Sequence, residues 1–206
     1  MPRRACPAPP SARAGGDIFH ENKPSRDTLV KAIRIFRKYT LSDRPVALRV
    51  LNNGDKPFQN GDGGVNYGDP NLNVGLPTFT IHGNHDDPAG EENLSAIDIL
   101  AADNLINYFG KTNMTGEGVG RVDIRPVLLE KGATRIALYG LGYMRDERLC
   151  RAFQTPGMVR WHVPEVEDGS GDFLSLFAVH QNRQKYGAKN FLPEKFLPGE
   201  PPARQG

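Results

Sequence analysis

Apolar and polar positions change period several times along this chain, and each change marks an element. Between Ser25 and about Tyr39, Leu29, Ala32, Ile33 and Phe36 fall on one stripe, with Lys31, Arg34 and Lys38 on others. That three-and-four spacing predicts an amphipathic helix, and Pro24 suits its start. A second helix is expected from about Glu92 to Ala102, with Leu94, Ile97, Ile99 and Leu100 apolar, and a short third from Asp146 to Gln154. Between the helices lie short runs that read as strands. They are Val46–Leu51, 77–82, Arg121–Glu130, Thr134–Leu141 and Phe173–Val179, the third and fourth joined at Lys131-Gly132. Strands alternating with helices predict an α/β fold, with reactive residues on the loops beyond strand ends.

The rest of the chain is irregular in pattern. Residues 1–14 hold four prolines and no periodicity, so a disordered leader is expected. Residues 52–75 form a long insertion rich in Asn, Gly and Asp, and long loops in compact domains tend to be functional or mobile. Residues 164–172 read as an acidic loop, and 198–206 as an unfolded Pro/Gly-rich tail. One domain spanning 15–197 is left between the two ends.

With 206 residues, the chain has the size of one domain or a large part of one. No stretch approaches the ~18 consecutive apolar residues of a membrane span. The formal charge of +2 neither requires nor excludes nucleic acid. Cys6 and Cys150 show no metal-ligand spacing, and a reducing intracellular setting is the simplest reading. Arg3, Arg4 and Arg13 flank no apolar core, so the start does not read as a secretory signal.

Candidate chemistry gathers in three runs: Gly16-Asp17-Ile18-Phe19-His20, Gly83-Asn84-His85-Asp86, and Phe177-Ala178-Val179-His180. Each holds ligands of the kind that bind hard-to-borderline divalent metals, and the last two end predicted strands. Asp17 is a candidate carboxylate bridge between two cations, although an Asp after Gly-Gly also simply closes a turn. Asn84 offers a neutral amide oxygen. His180, at a strand end, is a candidate imidazole ligand. His85 is a candidate general acid or oxyanion stabiliser, with Asp86 expected to hold its ring in one orientation. His20 is a candidate phosphate contact, or alternatively a capping residue. Arg183, Lys185 and Lys189 either neutralise substrate phosphates or form a solvated basic face. His82 is expected to be structural, and His162 is assigned no role.

These runs resemble the calcineurin-like metallophosphoesterases and, more narrowly, the Mre-eleven/SbcD-type double-strand-break-repair nucleases. Gly-Asn-His-Asp is common to many phosphoesterases. The eleven residues from Gly16 to Arg26, and the stretches Val65-Asn66-Tyr67, Pro126–Leu129, Ile136–Gly142 and Asn190–Glu194, carry the narrower likeness. It runs from about Gly15 to Leu197.

The resemblance implies a layered sheet sandwich flanked by helices, here incomplete at both ends. It implies a Mn2+-dependent DNA nuclease with 3′-to-5′ exonuclease and single-strand endonuclease activity and a two-metal site. Asp17 would bridge the metals, Asn84 and His180 would bind one of them, and His85 would be catalytic. Implied partners are DNA, a second copy of the chain, an ABC-type coiled-coil ATPase and a nibrin-like third subunit, in the nucleus. The helices near 25–39 and 92–102 would build the dimer face, and the 52–75 insertion would meet the third subunit. The family's Asp-x-His and His-x-His ligand pairs have no counterpart in these residues. An alternative reading is therefore an inactive interaction protein that keeps dimer and partner surfaces. A Ser/Thr phosphatase is disfavoured, because no Asp-Arg-Gly follows Asp17 and Gly83-Asn84-His85 is followed by Asp86 rather than Glu.

Overall fold

The computed structural model describes residues 11–52, 56–112, 121–164, 172–182, 192 and 197. Two sheets stack face to face between helices, a mixed α/β arrangement. The first sheet holds β1 (Ala12–Ala14), β3 (Thr78–Thr80) and β4 (Asn107–Tyr108), all parallel, with β3 central. The second runs in the order β2 (Arg49–Val50), β6 (Pro126–Lys131), β7 (Thr134–Leu141), β9 (Leu174–Val179). Its β7–β9 pair is parallel and its other pairs antiparallel. A two-stranded parallel ribbon joins β5 (Val122–Ile124) to β8 (Val159–Trp161).

Strand alternation builds the layers. On β7, Ile136 and Leu138 face the first sheet and cluster with Phe79, Ile81 and Phe109 from its side and with Val127 and Leu129 of neighbouring β6. Ala137, Tyr139 and Leu141 face the other way, onto Leu149 and Ala152 of α3 (Asp146–Gln154) and onto Val122 and Ile124. β9 divides likewise, with Leu176 and Ala178 on the inter-sheet side and Phe177 and Val179 on the α3 side. This period of two places one strand in two cores at once. The outer face of the first sheet is covered by α2 (Ala96–Ala102), whose Ile97, Leu100 and Ala101 are buried with Tyr108. The predicted stripe of Leu29, Ala32, Ile33 and Phe36 on α1 (Arg26–Thr40) packs against that cluster. No helix among the described residues is long and apolar enough to cross a membrane.

The helices begin where capping chemistry sets them. Ser25 accepts from the Thr28 N–H and starts α1, close to the expected position. The second helix starts at Ala96 rather than near Glu92. Ser95 and Asp98 form a reciprocal capping box there, and a tight turn precedes it with Asn93 in the left-handed region at φ 50°.

Residues 11–14 correct an expectation. Ala12–Ala14 is a strand, pairing parallel with Thr78–Thr80, rather than part of a disordered leader. Three small or charged residues carry no strand pattern, so the strand owes its existence to the partner edge of β3 and not to local propensity. Residues 1–10, the 165–171 part of the acidic loop and the 198–206 tail lie outside the described residues. The Val46–Leu51 strand contracts to Arg49–Val50, although Leu48 is buried in the inter-sheet core.

The described part of the 52–75 insertion is pinned by amide side chains. Asn107 on β4 accepts from the Asn66 N–H at 2.7 Å and donates to the Asn66 side chain at 2.9 Å. The Gln59 N–H donates to the Tyr108 carbonyl at 2.8 Å, and Asn104 donates to Asp69 at 2.7 Å. Asn66 and Asn107 are almost fully buried, so each lost partner leaves a desolvated polar group. Asn107→Leu is expected to lower stability by about 2 kcal/mol or more in urea denaturation, against a few tenths for the exposed Asn71→Ala.

Candidate metal centre

Parallel pairing sets the site. β1 and β3 run side by side in the same direction, so the loops after them, Gly15–His20 and Ile81–Asp87, leave the same sheet edge. β9, from the second sheet, delivers His180 one residue past its end. Groups 69 to 165 residues apart in sequence therefore meet on one edge.

Three acceptor atoms converge there. His180 Nε2 lies 3.1 Å from Asn84 Oδ1 and 3.4 Å from Asp17 Oδ2. His180 Nδ1 sits 2.7 Å from the Gly15 carbonyl, which can only accept, so Nδ1 carries the proton and donates. In the neutral ring Nε2 then presents its lone pair toward two oxygens. With that lone pair free, Nε2 joins the two oxygens as a set able to ligate a cation. One carboxylate, one imidazole and one carboxamide suit a borderline divalent ion. Among the described residues no three His, Cys, Asp or Glu side chains gather as ligands, so the carboxamide of Asn84 is needed to complete this set. The residues thus fit one ion, with a carboxamide as third donor, and not a second.

Asp17 is held in an unusual backbone state. Its φ is 55° and that of Gly16 is 97°. A non-glycine residue in the left-handed region costs about 1 kcal/mol or more and needs a local reason. Here the turn brings the Asp17 carboxylate onto the His85 N–H at 3.0 Å through Oδ1 and leaves Oδ2 toward His180. Gly83 is required opposite, because a Cβ there would fall on the Asp17 carboxylate. A Cβ on Gly16 would lie 2.6 Å from the Gly83 nitrogen.

Asp86 corrects an expectation. It does not orient the His85 ring. Its carboxylate is fully buried and accepts N–H groups from Asp17, Ile18, Phe19 and Gly83 at 2.6 to 3.3 Å. Fully removed from water, a carboxylate goes to the densest cluster of donors, and here that is backbone. The His85 ring is set instead by the His20 carbonyl, 2.7 Å from Nδ1, and stacks on the His20 ring with centroids 4.9 Å apart. The Gly15 carbonyl and Tyr143, whose ring meets His180 edge-on at 6.3 Å, are contributors that no sequence pattern signalled. Arg183, Lys185 and Lys189 lie outside the described residues. His162 pairs with Asp123 at 2.9 Å, as part of the β5–β8 ribbon rather than this site.

His82 is buried beneath the loop. The Tyr108 hydroxyl and the His82 Nδ1 share a hydrogen bond at 2.7 Å, and Asp87 lies 3.6 Å from Nε2. Burial pushes its imidazole down to about 4, and burial raises the Tyr108 phenol well above its usual range, so both groups stay neutral.

No family model matches the chain. Over 186 residues it is 58% identical to the double-strand break repair protein MRE11 of Arabidopsis thaliana, an alignment covering 89% of this chain and 26% of that protein. It is 59% identical to the protein of that name from Oryza sativa subsp. japonica, with the same coverage. Against the Homo sapiens protein the identity is 47% over 184 residues, 89% of this chain and 25% of the relative. The chain therefore spans about a quarter of the length of the curated relatives it matches. Over the aligned stretch the sequence is similar to double-strand break repair proteins. Within that class, the relatives it matches are MRE11 proteins of plants and vertebrates.

A depressed histidine pKa makes stability depend on pH. The unfolded chain takes up a proton near pH 6.5 that buried His82 takes up only near 4. Stability from this group is therefore complete above about pH 6.5 and declines as pH falls toward 4, by up to about 3 kcal/mol. Urea denaturation at pH 7.0 and 4.5 measures the slope, and a His82→Gln variant is expected to lose that share of it.

Proposed function

We propose that this chain forms part of the nuclease domain of an MRE11-type repair protein, with a calcineurin-like metallophosphoesterase fold that hydrolyses DNA phosphodiesters with Mn2+. The observation that carries the reading is the convergence of Asp17, Asn84 and His180 on one point, with the His85–His20 pair beside it. When bound there, a divalent ion polarises a phosphate oxygen and acidifies a water. Asp17 supplies the negative charge that draws the ion. The His85 N–H keeps one carboxylate oxygen engaged, so the other is presented in a fixed direction. The Gly15 carbonyl takes the Nδ1–H of His180, so Nε2 is the nitrogen turned toward the ion.

His85 Nδ1–H is committed to the His20 carbonyl, which leaves Nε2 for the substrate. In its imidazolium form the Nε2–H faces the leaving oxygen, favours the developing oxyanion, and on giving up that proton the ring returns to the neutral Nδ1–H form. Stacked His20 presents a second imidazole to the same phosphate. A second ion has no ligand set of its own among the described residues, so no step is drawn through one. The proposal includes 3′-to-5′ exonuclease and single-strand endonuclease activity, an ABC-type coiled-coil ATPase and a nibrin-like third subunit as partners, and a nuclear setting. Pairing with a second copy through α1 and α2 is supported by exposed Val30, Ile35, Tyr39 and Ile99.

The interaction-protein reading is separated by one assay. In Mn2+, the chain is expected to nick circular single-stranded DNA and shorten 3′ ends. His85→Gln is expected to keep Mn2+ affinity within twofold while cleavage drops by about 100-fold or more. Absent cleavage by the parent chain that binds Mn2+ normally would favour the non-catalytic reading, and unchanged cleavage by the variant would remove His85 from the mechanism.

A further inference from the structure

The buried Asp86 carboxylate has four backbone donors and no side-chain partner among the bonds described. Three of those donors, the N–H groups of Asp17, Ile18 and Phe19, are consecutive. Consecutive N–H groups aim at one point where a left-handed residue interrupts the chain, which makes an anion-binding concavity of main chain. Gly16 at φ 97° and Asp17 at φ 55° are such an interruption. The fourth donor, Gly83 N–H at 2.6 Å, belongs to the loop that carries Asn84. The carboxylate therefore ties the turn after β1 to the turn after β3.

We propose that Asp86 is a positioning residue: it fills a main-chain anion hole formed by Asp17–Phe19 and Gly83, holds Asp17 in its left-handed state, and so aims that carboxylate at Asn84 and His180. The contacts give the reasoning. Ile18 N–H meets Oδ2 at 2.7 Å and Gly83 N–H meets Oδ1 at 2.6 Å, so each oxygen serves one loop strongly and a second donor at 3.3 Å. Only a group with two acceptor atoms and no donor satisfies all four. An isosteric carboxamide replaces one acceptor with an N–H2 that faces main-chain N–H groups in either orientation. Asp17 Oδ1 reaches the His85 N–H only while this turn persists, so loss of the hole loosens His85 as well. The consequence for metal rests on the reading of the site given above; the consequence for the backbone does not.

Amide hydrogen exchange of the metal-free chain, followed by NMR, tests the backbone part without any variant. The Ile18 and Gly83 amides are expected to exchange about 100-fold or more slower than amides of exposed loops. Exchange at exposed-loop rates would overturn the proposal. Asp86→Asn is expected to speed exchange at Asp17, Ile18 and Phe19 and to weaken Mn2+ binding by about 10- to 100-fold. Asp98→Asn serves as control, because it removes a half-buried carboxylate that caps α2 and pairs with Lys111, with no bond to the Asp17, Gly83 or His180 loops among those described. It is expected to lower stability and leave Mn2+ affinity unchanged. Equal loss of affinity in both variants, or wild-type affinity in Asp86→Asn, would overturn the positioning role. Protected amides in a wild-type chain that binds no Mn2+ would support the anion hole and remove the metal reading.

Discussion

A carboxylate fully removed from water must find donors, and where Asp86 finds them decides how the rest of the site is built. Its four N–H partners come from two loops that the parallel pairing of β1 with β3 brings to one edge. That single set of bonds links sheet topology to chemistry. It tolerates Asp17 in a backbone state that side chains avoid, and it brings Gly83 so close that no side chain fits between the loops. Sheet register, turn and ligand direction are consequently one constraint.

The two-sheet core makes the remaining contribution. His180 reaches the site because β9 pairs in parallel with β7, and β7 is packed on both faces. Residues on alternate positions of β7 and β9 serve both cores, so neither strand can slip by one residue without exchanging its two faces. A rigid second sheet then holds the imidazole within 3.4 Å of a carboxylate carried by the first. The amide lattice of Asn66, Asn104 and Asn107 restrains the described part of the insertion against β4 and completes the far side of the first sheet.

Much of this was legible in the chain, for identifiable reasons. The α1 stripe, the β6–β7 hairpin and α3 follow from local periodicity that tertiary packing reinforces. Short motifs after strand ends concentrate reactive side chains, and the structure brings the side chains of Asp17, Asn84 and His180 together, with the His85 backbone N–H on Asp17. The misses are non-local. Ala12–Ala14 has no strand signature and is recruited by an edge supplied more than 60 residues later. The Asp86 partners are main-chain groups, which no residue pattern advertises. Adjacency to His85 suggested a bond to that ring, but neighbouring side chains on a tight loop point to opposite sides of it. The amide ties of the insertion were also hidden, since Asn and Gly read as loop whether or not their side chains are buried and paired.

The central proposal is that Asp17, Asn84 and His180 hold one divalent cation. Pulsed electron paramagnetic resonance on the chain with one equivalent of Mn2+ tests it most directly, because it counts directly bound imidazole nitrogens. The account predicts a single bound Mn2+ coupled to one histidine nitrogen, with that coupling lost in His180→Gln and retained in His85→Gln and His82→Gln. A spectrum of fully hydrated Mn2+, or a nitrogen coupling that survives His180→Gln, would contradict it.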